Sequence, residues 1–307
     1  MRVILRAIQT VDYHTAGEPF RIVPEGVVPP GRTVLERRDA APGSVDDVRR
    51  MLVDEPRGHA DMYGGFVVPP DDDGADLGVV FWHAEGYSTA CGHGTIALVT
   101  WAIESGRLPR GDGVHEVRVD VPSFVSAAEV PIAILGGTPA AIAYGGAFYV
   151  VLPAAAVDLE VRPADVGGLI RAGRAIKAEV EASRIIEHPD EPGLRGVYGV
   201  VFTAETDRLH QSNVTVFADG EVDRSPCGSG TSARLAVLHA EGRLAVGETL
   251  LHGSVVGTTF EGRVLGETTV AGIPAVHTEV VGSAWPTGEH RFLLHPDDPV
   301  GTGFRLR

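Results

Sequence analysis

A short motif that contains the chain's two cysteines occurs twice, and it constrains the fold more than any other feature. Residues 90–95 read ACGHGT and residues 226–231 read PCGSGT, so Cys91 and Cys227 each precede Gly-x-Gly-Thr. Each motif follows β-rich segments and opens an apolar run typical of a helix. A helical segment that is apolar on all sides is usually buried. The repeat therefore predicts two similar α/β halves that face one another, each with a sheet wrapped around one buried helix.

The segments around the two motifs have the composition of β-strands. The opening residues predict a hairpin with the turn TAGEP, and an amphipathic helix is predicted near 166–183. Further strands are predicted in ADMYGGFVVPP, ADLGVVFWHAEGY, HEVRVDVPS, AAEVPIAIL, GAFYVVLPAAAV, GVYGVVFTAE, SNVTVFAD, LLHGSVVGTTFEGRVLGE, AVHTEVVGSAW and EHRFLLHP. This order predicts a chain of the α/β (α+β) class.

Composition supports a chain of two folded domains. The 307 residues exceed the size of one ordinary domain, and 44% of them are apolar, which is enough for a sizeable core. The formal net charge of −15 would repel nucleic acid and anionic membranes, so neither is expected as a partner.

The two thiols are expected to be reduced. The first residues lack the apolar region of a secretory signal, and no run approaches 18 apolar residues, so we expect a cytoplasmic protein without a transmembrane helix. A structural disulfide is disfavoured in that compartment. The cysteines and histidines match no standard zinc spacing, and no metal site is predicted. The only lysine, Lys177, lies in an amphipathic helical pattern, which disfavours pyridoxal phosphate, and we expect no cofactor.

The position of each cysteine at the start of a helix suggests acid–base chemistry. The N-terminus of a helix carries unsatisfied amides and a partial positive charge, which lower the pKa of a nearby thiol. The glycines allow a ligand to approach, and amides in the two motifs can bind a carboxylate. If the halves face each other, one sulfur can remove the α-proton of a bound carboxylate and the other can return a proton to the opposite side. The alternative is that both cysteines are small buried apolar residues, which is common for a free cysteine. Its occurrence in two identical settings favours the chemical interpretation.

The motifs resemble those of the proline racemase family, which includes proline racemases, 4-hydroxyproline 2-epimerases and trans-3-hydroxy-L-proline dehydratases. The matching stretches are HTAGEPFRIV (14–23), EPRGHADMYGGFVV (55–68), GYSTACGHGTIAL (86–98), DRSPCGSGTSARLA (223–236), GSVVGTTFEGRV (253–264) and the tail from 282. The resemblance covers nearly the whole chain.

The resemblance implies a diaminopimelate epimerase-like fold of two domains, each a curved mixed sheet around a central helix. It implies that Cys91 and Cys227 are the two acid–base residues. The residues that it assigns to the substrate carboxylate are Gly92, His93, Gly228 and Ser229. By the same match, Asp223 would bind the ring nitrogen or hydroxyl of the substrate. The domain boundaries expected from it are 1–122 with 288–307 for the first half-site and 123–287 for the second.

Two positions depart from the family pattern. Ala90 stands where many members have Met, and Ser229 stands where Thr is common. Neither change is expected to disturb the chemistry.

Two features of the sequence point to different subtypes. Family dehydratases commonly have Thr in place of the second cysteine, so Cys227 favours inversion at Cα. HAEGYSTACGH and the C-terminal third instead resemble the dehydratase branch. We give the cysteine more weight, because it determines whether a proton can be delivered to the opposite side.

The sequence therefore predicts a cofactor-independent racemase or epimerase that acts on proline or a hydroxyproline. The alternatives are the trans-3-hydroxy-L-proline dehydratase and, outside enzymes, a redox dithiol or small-carboxylate binding protein. The expected partner is the small-molecule substrate, and a homodimer is one assembly open to the chain.

Overall fold

The computed structural model describes residues 6–109, 119–120, 125–132 and 138–306, with only the backbone for 119–120, 125–132 and 138. The chain divides into two compact units. Unit 1 comprises 1–122 and 283–307, and unit 2 comprises 123–282. Most of the predicted strand HEVRVDVPS lies outside the described residues.

The described part of unit 1 contains a mixed sheet and three helices. Its elements are β1 (Arg6–Thr15), β2 (Glu18–Val23), α1 (Val34–Ser44), α2 (Asp46–Val53), β3 (Tyr63–Val68), β4 (Leu77–His83), β5 (Gly86–Tyr87), α3 (Gly92–Glu104), β6 (Val119–Asp120) and β16 (Ala284–Leu294). The sheet order is β16-β1-β2-β3-β4-β5, and β6 pairs with β4. The predicted hairpin is confirmed as β1–β2, with Ala16 and Gly17 at positive φ in the turn.

Helix α3 packs against β1, β2, β3 and β16. Its residues Leu98 and Trp101 are buried, whereas Ile96, Val99 and Ile103 are only half-buried. The sequence predicted a helix buried on all sides. The open sheet of unit 1 covers only part of its circumference, which accounts for the difference.

Helices α1 and α2 were not predicted. Thr33 caps α1 in a reciprocal capping box with Glu36, which is the sequence pattern that could have located the start of this helix. Both helices contribute apolar side chains to a cluster with β3 and β4.

Unit 2 is a closed ring of strands around a helix. Its elements are β7 (Val125–Ile132), β8 (Thr138–Gly145), β9 (Phe148–Pro153), α4 (Val166–Ser183), β10 (Gly199–Asp207), β11 (His210–Phe217), β12 (Glu221–Asp223), α5 (Gly228–Ala240), β13 (Thr249–Ser254), β14 (Thr259–Val270) and β15 (Ile273–Val281). The strand order is β10-β9-β8-β7-β15-β14-β13-β11-β12. The further pairing of β10 with β11 closes eight of these strands into a barrel.

Helix α5 lies inside the barrel, where it contacts β7, β8, β9, β14 and β15. Nearly all of its side chains are buried, as the sequence predicted. Helix α4 is the predicted amphipathic helix, and it packs outside the barrel on β10 and β11.

The boundary between the units near the C-terminus lies at 282/283 in the structure, whereas the sequence suggested 287/288. Residues 275–285 were predicted as one strand. Instead, β15 pairs with β14 as far as Val281, and β16 begins to pair with β1 at Ala284. The chain therefore passes from unit 2 to unit 1 through Gly282 and Ser283.

In the part of the chain that the structure describes, every helix is too short or too polar to cross a bilayer.

Candidate active site: two cysteine half-sites

Cys91 is the N-cap residue of α3 in unit 1. Its backbone is extended, with φ −153°, and its sulfur accepts a hydrogen bond from the amide of Gly94 at 3.3 Å. The thiol is 5% exposed. Both ring nitrogens of His93 lie 3.5 Å from the sulfur.

The ring of His93 is enclosed by aromatic side chains. Tyr63 and Phe20 meet it edge to face, with ring centroids 5.1 and 5.9 Å away. The hydroxyl of Thr15 donates to the carbonyl of His93 at 2.8 Å. The first turn of α3 is therefore fixed to β1, β2 and β3.

Cys227 is the N-cap residue of α5 in unit 2, and its sulfur has the same main contact. The amide of Gly230 donates to it at 3.3 Å, and the thiol is 6% exposed. The hydroxyls of Ser229 and Tyr149 each lie 3.8 Å from the sulfur. Burial, and next the negative charge of Asp223, raise the pKa of Cys227 to about 12. This thiol therefore carries its proton at neutral pH.

The third residue after each cysteine is a glycine that lies against the sulfur. A Cβ added to Gly94 would clash with Phe20 Cε2 and lie 2.8 Å from the sulfur of Cys91, so a side chain there requires its neighbours to move. One added to Gly230 would lie 3.0 Å from the sulfur of Cys227, which is a tight contact. The repeated Cys-Gly-x-Gly spacing thus brings each sulfur against the first turn of its own helix.

The two half-sites differ in backbone conformation. Cys227 has φ 61° and ψ 110°, a left-handed conformation that is unfavourable for a residue with a side chain. Its amide donates to the hydroxyl of Ser225 at 3.0 Å, and that hydroxyl donates to Asp223 Oδ1 at 2.6 Å. The other side of the same peptide group, the carbonyl of Pro226, is held as well.

Three buried polar side chains bind the carbonyl of Pro226 and one another in a closed cycle of hydrogen bonds, here called the polar ring. Asn213 Nδ2 donates to the carbonyl at 2.8 Å, and Thr231 Oγ1 donates to it at 3.1 Å. His252 closes the ring, with Nδ1 2.8 Å from Thr231 Oγ1 and Nε2 3.2 Å from Asn213 Nδ2. Since Thr231 gives its hydrogen to Pro226, its oxygen accepts from Nδ1–H of His252, and Nε2 accepts from Asn213. The ring therefore requires neutral His252.

The surroundings of His252 favour this neutral form. The side chain is fully buried, and Arg234 contributes a positive charge nearby. Burial first and Arg234 second lower the pKa of His252 to about 3.

The structure brings the predicted residues together in two groups. Cys91, Gly92 and His93 form the start of α3, while Cys227, Gly228 and Ser229 form the start of α5. Asp223 ends β12 and is linked to the second group through Ser225. Across the described residues, no cluster of His, Cys, Asp or Glu has the arrangement of a metal site.

Sequence reasoning missed the residues that hold these groups in place. Their shared property is a polar side chain buried beside one of the two motifs. They are Thr15, Tyr63, Tyr149, Asn213, Ser225, Thr231 and His252. One sequence signal was available: in β11 the polar residues Asn213 and Thr215 alternate with Val214 and Val216. The structure buries Asn213 and Thr215 completely, although a buried strand face is usually apolar.

Comparison with known proteins gives consistent matches over the whole chain. The model of the family described as "Proline racemase" matches residues 10–122 and 109–305. The chain is 45% identical to a protein of Burkholderia multivorans named 3-hydroxyproline 2-epimerase, with 99% of each chain covered. It is also 45% identical, again over 99% of each chain, to an Azospirillum brasilense protein named trans-3-hydroxy-L-proline dehydratase.

A solved structure has the same fold. The hydroxyproline epimerase of Agrobacterium vitis, crystallised with trans-4-hydroxy-L-proline, superposes with a TM-score of 0.90 at 31% identity, covering 98% of this chain and 96% of that one. The fold class predicted from the sequence, two domains each with a curved mixed sheet around a helix, is confirmed.

The different backbones of the two cysteines predict glycine effects of different size. Both residues are N-caps, where glycine is preferred to alanine, so Cys91→Gly should exceed Cys91→Ala in free energy of unfolding by about 0.5–1 kcal/mol. At Cys227 glycine also accepts the positive φ, so the advantage of Cys227→Gly over Cys227→Ala should be larger by about 1 kcal/mol. Urea unfolding of the four variants measures both differences. A glycine advantage at Cys227 no larger than that at Cys91 would contradict strain at Cys227.

The neutral His252 predicts a specific loss of stability in acid. Its pKa in the folded chain lies below the unfolded value of about 6.5, so the unfolded chain binds the extra proton and stability falls between about pH 6.5 and 3. The His252→Gln variant has no imidazole at this position, so its stability does not change with pH for this reason. The stability advantage of the natural chain over His252→Gln should shrink by about 1.4 kcal/mol for each pH unit below 6.

Urea unfolding between pH 7 and 4 measures this difference. His239→Gln is the control, since the partly buried His239 lies beside Glu267 and outside the polar ring that contains His252. Its replacement should not reproduce the shrinking difference in stability seen for His252→Gln. A difference between the natural chain and His252→Gln that stays constant with pH would rule out a neutral, network-bound His252.

Proposed function

Since the chain belongs to the proline racemase family, we propose that it is a cofactor-independent epimerase that inverts Cα of a hydroxyproline, with 3-hydroxyproline as the first substrate to test. The observation that carries the proposal is the pair of matched thiols. Cys91 and Cys227 each cap a helix and each accept an amide hydrogen bond at 3.3 Å. The name of the Burkholderia multivorans relative supports the choice of substrate.

In the proposed mechanism the substrate carboxylate is bound by first-turn amides. Such amides have no acceptor within their own helix, and the partial positive charge of the helix end favours an anion. The residues proposed for this role are Gly92, His93, Gly228 and Ser229. The same amides stabilise the negative charge that develops on the carboxylate when the α-proton leaves.

The two thiols then exchange protons with the same α-carbon. In one direction the Cys91 thiolate takes the α-proton and becomes a thiol, while the C–H electron pair delocalises into the carboxylate. The carbanion next takes the proton of the Cys227 thiol, which becomes a thiolate, and the configuration is inverted. The raised pKa of Cys227 supports its role as proton donor in this direction. In the other direction the roles are exchanged.

We assign Asp223 to the ring nitrogen or hydroxyl of the substrate. The carboxylate is buried, and one of its oxygens is already bound by the amide and hydroxyl of Ser225. A cationic ring nitrogen beside Asp223 would offset the negative charge that helps to raise the pKa of Cys227. Substrate binding would in this way make the Cys227 thiolate easier to form.

The second candidate is the dehydratase of 3-hydroxyproline, and the Azospirillum brasilense relative carries that name. The first step is the same loss of the α-proton. The electron pair then expels the 3-hydroxyl group as water, after that group is protonated, and leaves a cyclic enamine that rearranges to an imine. This reaction needs no proton donor for Cα. The presence of Cys227 therefore favours inversion.

A substrate panel in D₂O distinguishes the two reactions. With L-proline, trans-4-hydroxy-L-proline and trans-3-hydroxy-L-proline as substrates, we expect deuterium at Cα with inverted configuration, and fastest for the 3-hydroxy compound. Proton NMR and chiral chromatography measure exchange and inversion. An imine product without an inverted hydroxyproline would replace the epimerase by the dehydratase.

Replacement of either thiol tests the acid–base assignment. Cys91→Ser and Cys227→Ser should each reduce inversion at least about 100-fold, because a serine hydroxyl is a poor proton carrier at neutral pH. Ser105→Ala, at the far end of α3, is the matched control and should retain activity. Normal inversion by both cysteine variants would exclude the two-thiol mechanism and leave a redox or binding role for the cysteines.

A further inference from the structure

A pair of hydroxyl groups lies beside the sulfur of Cys227. Tyr149 OH and Ser229 Oγ are 2.7 Å apart, and each lies 3.8 Å from the sulfur. The three atoms form a triangle in which each is within hydrogen-bonding reach of the other two.

Tyr149 reaches this triangle from the wall of the barrel. It lies on β9, it is fully buried, and its ring packs in an apolar cluster with Ala143, Val201, Ala233 and Val237. A phenolic hydroxyl in an apolar environment is costly unless it is hydrogen-bonded. The short bond to Ser229 satisfies this requirement and fixes the serine side chain relative to the barrel.

The hydroxyl pair has two hydrogens and can use one of them on the sulfur. When one hydrogen joins the two oxygens, the other can be directed at the thiolate. If Tyr149 donates to Ser229, the serine hydrogen faces the sulfur; if Ser229 donates to Tyr149, the phenolic hydrogen does. A serine without the tyrosine would be free to rotate its hydrogen away.

We propose that Tyr149 is a positioning residue that acts together with Ser229 to stabilise the deprotonated sulfur of Cys227. The inference rests on the proposed function, in which Cys227 gives its proton to the substrate. The hydroxyl pair stabilises the sulfur after that proton has left.

The charges around Cys227 show why this contact matters. Burial and the carboxylate of Asp223 raise the pKa of the thiol, whereas the Gly230 amide, the Ser229 hydroxyl and the Tyr149 hydroxyl lower it. Asp223 and Tyr149 are the titratable side chains among these groups. The hydroxyl pair opposes the burial that would otherwise keep the proton on the sulfur.

The first half-site has a different group in the corresponding place. The residue two positions after Cys91 is His93, and the aromatic side chain from the sheet is Tyr63, which meets the imidazole through its ring edge. The two cysteines thus share the amide contact but not the neighbouring chemistry. The tyrosine–serine pair belongs to the Cys227 half-site.

Alkylation of Cys227 tests the proposal without any substrate. The Cys91→Ser variant has Cys227 as its sole thiol, because the chain contains two cysteines. In this background the rate of reaction with iodoacetamide between pH 7 and 9 reports the thiolate fraction. Adding Tyr149→Phe should slow the reaction about three-fold at each pH, which corresponds to a pKa higher by about one unit with partial compensation by greater nucleophilicity.

A double-variant comparison shows whether the two hydroxyls act together. Ser229→Ala should slow alkylation to a similar extent, and the combined Tyr149→Phe and Ser229→Ala change should be no slower than the stronger single change. Tyr144→Phe is the matched control. Tyr144 is also a buried barrel tyrosine, but its ring packs at a tilt against Phe148 and His188, and its replacement should leave the rate unchanged.

An alkylation rate for Tyr149→Phe equal to or above that of the Cys91→Ser background would overturn the proposal. Additive effects of the two changes would also contradict a joint action of the hydroxyls. Circular dichroism spectra and unfolding midpoints verify that each variant is folded.

The activity of Tyr149→Phe with Cys91 intact separates this inference from the proposed function. We expect kcat for inversion to fall about ten-fold with KM changed less than two-fold, because the substrate carboxylate contacts amides and not the phenol. If alkylation is slowed as expected but neither this variant nor the natural chain inverts any proline, the hydroxyl pair stands and the proposed function is wrong.

Discussion

The burial of a helix N-terminus is the constraint on which both half-sites depend. The first amides of a helix have no partner within it, and leaving them unpaired away from water is costly. Ser, Thr, Asp and Asn are the usual residues that meet this need, yet α3 and α5 both use the sulfur of a cysteine, a weaker acceptor. A serine in either place would make the stronger cap. A sulfur at both caps is consistent with the proton transfer proposed above, and the stability of each helix start has to come from the surrounding contacts.

Those contacts differ between the units because the sheets differ. The open sheet of unit 1 leaves part of α3 only half-buried, and Cys91 keeps a relaxed, extended backbone. The closed barrel of unit 2 encloses α5, and Cys227 is held at positive φ by hydrogen bonds on both sides of its peptide. A conformation of this kind persists only when its neighbours determine it more than once. Asn213, Thr231 and His252 provide that support from two strands and the helix itself.

The repeated motif and the hydrophobic pattern were sufficient to predict two α/β units, the two central helices and the position of both cysteines. The same patterns could not predict which side chains surround the two cysteine motifs. Tyr149 lies 78 residues from Cys227 in sequence, so their contact depends on the closure of the barrel. Residues 213–216 read as an ordinary strand, but Asn213 and Thr215 face inward to α5, whereas Val214 and Val216 face outward to α4. Alternation of polar and apolar residues identifies a strand. It does not show which face of that strand is buried beside the polar end of a helix. Helices α1 and α2 were also not predicted, although the capping box at Thr33 marks the beginning of α1.

The pairing of β1 with β16 has a consequence for the order in which the chain acquires structure during synthesis. Strand β1 pairs with β16 from Arg6 to Thr15, so β1 leaves the ribosome long before its edge partner, which is complete only after residue 294 has been made. Unit 2 is one continuous segment that ends at residue 282. Domains generally form as units while the chain emerges, and contacts between distant residues form late because closing a long loop is entropically unfavourable. The second half of the chain is thus expected to mature before the first, and Cys227 reaches its buried position while the sheet around Cys91 still lacks its edge strand.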